Sequence, residues 1–417
     1  MGKRRQVIVG NSAAGLSAIK GIREVDHSCP ITLISVEECN AYSPVALTHY
    51  LKGEISKRDL FIVGKDFYRK NAVQTLFGNR AIEVDPFRQV VRLEQGKKVK
   101  YDNLLIATGA LAIRLNHSGH TPPRVFSLRT LSDADKIGAC ARTAKDVIVI
   151  GAGLIGLQVA DAIFKKGIKL TVLEWSAQVL PEIVDADCAT LIQKEIEGRG
   201  ISVLLGKKVK EIRKRGRKVV VMTDSGGEEI ADMVVVGIGV RPNTDLVNGS
   251  GIKVNRGILV DGMMQTNFDN IFAAGDVAEG ENIVTGKMEV LPNWSNACKQ
   301  GRIAGLNMAG CRQKYEGGLK ETITTIFGLT VAGIGVSKAS EGGGLTESRF
   351  SDPERKLYRK ILLSDNRVAG AVLLGRVMDA GILKNLIRNK KDISFWRNAM
   401  ARTPLDMRKL LWSVINP

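Results

Sequence analysis

Two glycine turns, each following an apolar strand and opening a helix that leads to another strand, predict an α/β protein. The prediction is of two Rossmann-like units with a small α+β region behind them. The first turn lies in "VIVGNSAAGLSA" (7–18), which runs on to "ITLISVE" (31–37). The second lies in "DVIVIGAGLIGLQVADAIFKKGIKLTVLE" (146–174). A length of 417 residues with 44% apolar side chains is enough for two or three domains with buried cores.

The first unit reads as a strand over 6–10, a turn, a helix over about 13–25 and a strand over 31–37. That order aims backbone N–H groups and a helix N-terminus at a pyrophosphate. Gly10 and Gly15 stand at the first and third fingerprint positions, but Ser12 stands at the second. Glu37 closes the second strand, where a carboxylate accepts hydrogen bonds from ribose hydroxyls. A glycine turn alone is a weak signal; strand, turn, helix, strand and acid in order form a strong one. In the second unit the fingerprint is complete at Gly151, Gly153 and Gly156, with Leu154 and Ile155 opening the helix. Glu174 ends this unit, and an acid there favours the 2′-hydroxyl of NAD over the 2′-phosphate of NADP. Two dinucleotide folds in one chain imply two dinucleotides.

Further segments qualify that picture. "YDNLLIATGA" (101–110) is a buried strand leading into Ala107, Thr108 and Gly109. "TNFDNIFAAGDVAE" (266–279) is a turn and a short strand that delivers Asp276 after Gly275. Near the C-terminus "ETITTIFGLTVAGIGV" is strand-like, and "RKILLSDNRVAGAVLLG" reads as a hairpin turned at Asp365-Asn366. The tail from 385 is basic and helical in pattern, with Trp396 and Trp412, suited to docking or to packing on its own domain.

Composition narrows the function. The net charge is +18, with basic runs at 165–169, 206–218 and 384–391. Each run reads as a solvated face, but together they favour an acidic partner by long-range steering. No aromatic-interleaved groove or recognition motif argues for nucleic acid. The six cysteines are scattered without a CxxC pair, so no metal or iron–sulfur site of the chain's own is expected. Dispersed thiols point to a reducing, cytoplasmic setting. His117 and His120 form an HxxH without further ligands and read as loop histidines. "MGKRRQVIVG" is not read as a signal peptide, because its apolar stretch breaks at Asn11 and Ser12. The longest apolar run, 147–157, is too short to span a membrane.

With "GIGVRPN" (237–243) and "LPNWSNACKQGRIAGLNMAG" (291–310), these segments resemble the two-dinucleotide flavoproteins. That group comprises FAD/NAD-linked reductases related to glutathione reductase, rubredoxin and ferredoxin reductases, and the flavin part of NADH nitrite reductases. The resemblance implies an FAD domain at 1–112 and 246–320, an inserted NAD domain at 113–245, and a dimerising or partner-docking domain at 321–417. By the same resemblance Gly10, Ser12, Ala13, Ala14, Gly15 and Glu37 hold the ADP half of FAD. Ala81 touches adenine through its backbone. Thr108 and Gly109 pass near the flavin, and Pro44 and Ala107 are implied for cofactor binding. Gly275 and Asp276 serve the ribityl chain, with a following helix dipole at the flavin end; a helix cap is the plainer role for Asp276. Gly151, Gly153, Leu154, Ile155, Gly156, Glu174 and Gly239 are implied for NAD(H).

Two departures concern chemistry. Relatives carry Lys near the position of His49, beside the flavin, and Glu where this chain has Gln158. The Gln158 amide suits the nicotinamide carboxamide, and equally a helix surface. The redox cysteines of the disulfide branch have no counterpart after Glu37, where Ser43 to Ala46 stand, and Cys39 falls too early. No histidine follows His120 to serve as their acid/base. What the resemblance then implies is direct hydride exchange between NAD(H) and FAD, with single electrons passed to or from an iron–sulfur partner. "GNSAAG…AYSP" looks like the FAD subunits found beside iron–sulfur subunits, as in phenylglyoxylate or aldehyde oxidoreductases and CO dehydrogenase systems. A larger complex of that kind or a homodimer is expected. An NADH oxidase using O₂, and a basic flavoprotein acting as a binding module, are the competing readings.

Overall fold

The computed structural model describes residues 4–64, 66–115, 122–338 and 344–394. His117, His120, Trp396, Trp412 and the tail beyond 394 lie outside the described residues. The described chain forms two compact units. One draws on Met1–Ala46, Ile55–Leu111 and Val240–Leu319; the other on Leu47–Glu54, Ala112–Gly239 and Lys320–Pro417.

The first unit is built on a five-stranded parallel sheet. Its order is Ile271–Ala273, Asn103–Ile106, Gln6–Val9, Ile31–Ile34, Val73–Leu76. Gln6–Val9 and Asn103–Ile106 are buried at every position, as strands covered on both faces must be. Helix Ala13–Val25 lies against helix Trp294–Met308 almost backbone to backbone. A Cβ added at Gly301 would stand 2.2 Å from the Ala14 carbonyl oxygen, and one at Gly305 2.3 Å from that of Ala18. An antiparallel three-stranded sheet, Ala81–Asp85, Val90–Leu93 and Lys98–Lys100, completes the layer.

The second unit repeats the plan with Ser202–Leu204, Lys169–Leu173, Asp146–Ile150, Met233–Val236 and Val125–Phe126, all parallel. It also holds the C-terminal antiparallel sheet, in the order Glu321–Ile326, Leu329–Gly335, Arg367–Leu374, Leu357–Ser364, Thr346–Asp352. The hairpin turned at Asp365-Asn366 is present, and both residues take positive φ, 47° and 59°, as the right-handed twist of a two-residue hairpin requires. A polar cluster joins this sheet to the helix Ala186–Glu197. Asp185 caps that helix and also receives the Tyr358 hydroxyl at 2.7 Å and Lys360 at 3.0 Å.

Two expectations need correction. The strand expected over 31–37 ends at Ile34. Its neighbour on that side ends at Leu76, and beyond it the Ser35 hydroxyl accepts the Glu37 N–H, turning the chain out of the sheet. No helix directly follows Asp276. The chain turns there into the strands Ala278–Glu281 and Met288–Val290, and the next helix starts at Trp294.

Candidate functional site

Each parallel sheet ends in the same construction. In the first unit the Gly10 N–H donates to the Ile34 carbonyl at 2.9 Å; in the second the Gly151 N–H donates to that of Leu173 at 2.7 Å. Both glycines take positive φ, +126° and +103°, because the chain leaves the strand beneath a neighbouring strand's continuation. A Cβ at Gly10 would lie 2.0 Å from the Ala107 oxygen, and one at Gly151 2.4 Å from the Gly237 oxygen. The third positions are as tight: a Cβ at Gly15 would stand 2.0 Å from the Gly10 oxygen, and one at Gly156 1.9 Å from that of Gly151. These four glycines are therefore demanded by the protein's own backbone.

The second position differs in kind. A Cβ at Gly153 meets nothing within 4 Å, and its φ of −75° is open to any residue. No atom of the described chain requires glycine there, so the space at the helix N-terminus is left for something else. Ser12 holds the matching place with extended backbone, and its hydroxyl makes no capping bond. Ala13 and Ala14 are buried behind it. The residues fit a dinucleotide: two helix N-termini with leading N–H groups, with room at the second position of the turn at Gly153.

Around the first turn the structure assembles several of the expected residues. Ala107 donates its N–H to Val9 and covers Gly10. The Thr108 hydroxyl donates to the Asn243 carbonyl at 2.7 Å, and Gly109 accepts the Asn243 N–H. Gly275 reaches the same helix end, where an added Cβ would come 3.2 Å from the Ala14 Cβ, and so carries Asp276 there. Glu37 accepts the Tyr42 hydroxyl at 2.8 Å. Elsewhere in the first unit Pro44 opens a short 3-10 turn, Pro44–Ala46, and Ala81 starts its strand opposite Leu93, and none of these bonds ties either residue to the turn.

In the second unit the Glu174 carboxylate is buried, accepting the Ala152 N–H at 2.6 Å and the Ser176 N–H at 2.8 Å. It thus braces the glycine turn from the neighbouring strand. Counted from the paired positions Ile34 and Leu173, the two acids are not equivalent: Glu174 follows at once, Glu37 three residues on. Leu154 and Ile155 open the helix Leu154–Ile163. Gly239 takes φ +111° and its carbonyl accepts the Ile113 N–H. Gln158 donates to the Thr324 hydroxyl at 2.7 Å, tying the glycine-turn helix to the C-terminal sheet. His49 lies on helix Leu47–Lys52 of the second unit, exposed, with its Nδ1 2.5 Å from Glu54.

Sequence reasoning missed three contributors. Gln300, buried, accepts the Gly275 N–H at 2.8 Å and holds the turn before Asp276. Asn11 donates to the Cys39 carbonyl and accepts the Tyr68 hydroxyl, tying the loop after the second strand to the first turn. Gly237, rather than Gly239, presses on the second turn, where an added Cβ would stand 2.9 Å from the Gly156 Cα. The quoted segments around these residues were the only signal. All six cysteines are free thiols. Burial, and then the Glu37 charge, push the Cys39 thiol up, away from the thiolate a redox role needs. Among the described residues no three His, Cys, Asp or Glu side chains are grouped to hold a metal ion. No described helix is long and apolar enough to cross a membrane.

Comparison with known proteins agrees with this geometry. The family model "Pyridine nucleotide-disulphide oxidoreductase" matches residues 4–301, and "Rubredoxin NAD+ reductase C-terminal domain" matches 322–391. The chain is 32% identical to a nitrite reductase [NAD(P)H] of Bacillus subtilis (strain 168), over 94% of this chain and 48% of that protein. It thus spans about half the length of that relative. With the NADH-dependent phenylglyoxylate dehydrogenase subunit epsilon of Aromatoleum evansii it shares 30% identity, over 98% of this chain and 97% of the other. Among solved structures, one of a covalent putidaredoxin reductase–putidaredoxin complex superposes with a TM-score of 0.91 over the full length of both chains, at 23% identity.

Proposed function

The chain belongs to the pyridine nucleotide-disulphide oxidoreductase family, and from that premise we propose that it couples NAD(H) to one-electron carriers of the iron–sulfur kind. It is an NAD(H)-dependent oxidoreductase that uses FAD. The observation that carries the proposal is the doubled turn, two helix N-termini, with the second position left clear at Gly153 and held at Ser12 by a residue whose hydroxyl makes no capping bond.

We assign FAD to the first unit and NAD(H) to the second. The N–H groups behind Ser12 receive one pyrophosphate and those behind Gly153 the other. Glu37, whose carboxylate receives the Tyr42 hydroxyl, is an acceptor of the kind that suits ribose hydroxyls. Glu174, with one N–H on each oxygen, likewise retains acceptor capacity and opposes a 2′-phosphate. Asp276, presented beside Ala14, suits the hydroxyls of the ribityl chain. When bound, FAD supplies the exchange between a two-electron hydride and single electrons.

An acidic iron–sulfur protein or subunit fits the net charge of +18, because steering favours opposite charge. The names of the relatives, a dehydrogenase subunit and a reductase solved with its electron carrier, support the same class of partner. Six free thiols suit a cytoplasmic setting. The test is anaerobic NADH oxidation by the FAD-loaded protein, with and without an acidic ferredoxin. Turnover that rises on adding the ferredoxin and falls with salt is expected. NADH oxidation as fast with O₂ alone, and no response to ferredoxin, would establish an oxidase instead.

A further inference from the structure

At the carboxyl edge of the second parallel sheet one large side chain is unexplained by packing. Trp175 follows Glu174 directly and is 71% exposed, while Glu174 itself is turned inward. Its backbone is not loose. The Glu174 N–H donates to the Leu204 carbonyl, the Glu174 carbonyl accepts the Lys207 N–H, and the Ser176 carbonyl accepts the Gly206 N–H. The Ser176 N–H is held by the Glu174 carboxylate. An indole is thus carried in water on a strand end whose backbone is held. That strand end adjoins the turn whose second position stands clear, since Gly151 bonds Leu173 just two residues before Trp175. In sheets of this kind ligands lie across the carboxyl ends of the strands. An exposed aromatic side chain on a held strand end, beside the carboxylate assigned above to the ribose, is suited to a planar base.

We propose that Trp175 is the stacking platform for the adenine ring of NAD(H), and so a binding residue for the half of the dinucleotide that does not react. The proposal rests on the assignment of NAD(H) to the second turn. Stacking is tolerant of base identity and needs only a flat face, so the gain comes from covering the indole and the base together. The matching place in the first unit, counted from the paired strand ends, is Val36. Val36 has no such face, so the first unit does not repeat the platform at that position.

The experiment is calorimetric titration of the FAD-loaded protein with NAD⁺ and with nicotinamide mononucleotide, which lacks the adenosine. It compares the native chain with Trp175→Ala, Trp175→Phe and Gly153→Val. Trp175→Ala is expected to weaken NAD⁺ about tenfold and leave the mononucleotide unchanged, with Trp175→Phe within about threefold of native. FAD content and melting temperature should not move, since the side chain is mostly in water. Indole emission quenched by NAD⁺ in the native chain but less in Trp175→Phe would support the contact independently. Unchanged NAD⁺ affinity in Trp175→Ala, or equal weakening of both ligands, would overturn the platform. Full NAD⁺ binding by Gly153→Val would instead overturn the assignment of the second turn, whatever Trp175 does.

Discussion

Gly153→Ala separates what the fold needs from what the ligand needs. At Gly153 the backbone is extended, φ −75° and ψ −174°, and a Cβ meets no atom within 4 Å. Alanine caps a helix less well than glycine, a cost of roughly 0.5–1 kcal/mol. It also restricts the unfolded chain, a gain of about 0.4–1 kcal/mol. The two nearly cancel, so the melting temperature should stay within about 3 °C of native. Gly156→Ala is the contrast, because its Cβ would stand 1.9 Å from the Gly151 oxygen and the backbone must move. Crowding of that kind costs about 1–3 kcal/mol or more. If a pyrophosphate lies over the second turn, the new methyl at 153 crowds the ligand, and about 1–3 kcal/mol lost there is roughly a 5- to 150-fold weaker NADH affinity. The assay is NADH titration of the FAD-loaded variant beside thermal melting and flavin absorbance per chain. Native affinity in Gly153→Ala would refute the reasoning, and loss of FAD with retained NADH binding would mean the two sites are reversed.

Ser12→Gly should leave FAD content and melting temperature close to native, since the Ser12 hydroxyl makes no capping bond, as flavin absorbance after gel filtration would show. Glu174→Ala removes the acceptor for two backbone N–H groups, so a fall in stability of about 1–3 kcal/mol is expected by denaturant unfolding. The NADH requirement should rise with bound FAD intact. Lys360→Met leaves Asp185 without its ammonium partner beside the Tyr358 hydroxyl, and a loss of about 3 kcal/mol is expected. The pH dependence follows from the same cluster. Burial opposes the Asp185 charge, but bonds from Tyr358, the Cys188 N–H and Lys360 outweigh it and hold the carboxyl below its ordinary value. Burial likewise opposes the Lys360 charge, while Glu347 and Asp185 raise it overall. Asp185 therefore stabilises above the ordinary carboxyl range, and its contribution is lost as pH falls through its depressed value. That of Lys360 is full below about 10.5 and is lost as pH rises through its raised value. Melting against pH should show both flanks in the native chain, and Lys360→Met should flatten the alkaline one.

The parts of the site legible in the sequence are those whose physics is local. Gly15 and Gly156 could be placed because a turn that leaves a strand and opens a helix crowds its own backbone within six residues, and Gly10 and Gly151 because the same turn needs a positive φ at its first position. The helix over 13–25 and the hairpin at Asp365-Asn366 were legible for the same reason. What was not legible depends on neighbours distant in the chain. The strand after 31 ends early because its partner ends, 42 residues later, at Leu76. Gly237 matters through Gly156, and Gln300 through Gly275.

The sequence by itself determined that there are two dinucleotide turns, that the first tolerates Ser12, and that acids follow both second strands. Only the tertiary structure decided that the second fingerprint position is left clear by the protein, that Glu174 braces its turn from inside, and that Gln158 reaches Thr324. It also decided that the helix bearing His49 belongs to the second unit. The reason is the range of the forces involved. Backbone conformation and sterics within a turn act over a few residues and leave a mark in residue type, whereas a buried carboxylate or amide is satisfied by whichever donor the fold brings within 3 Å, and no spacing encodes that.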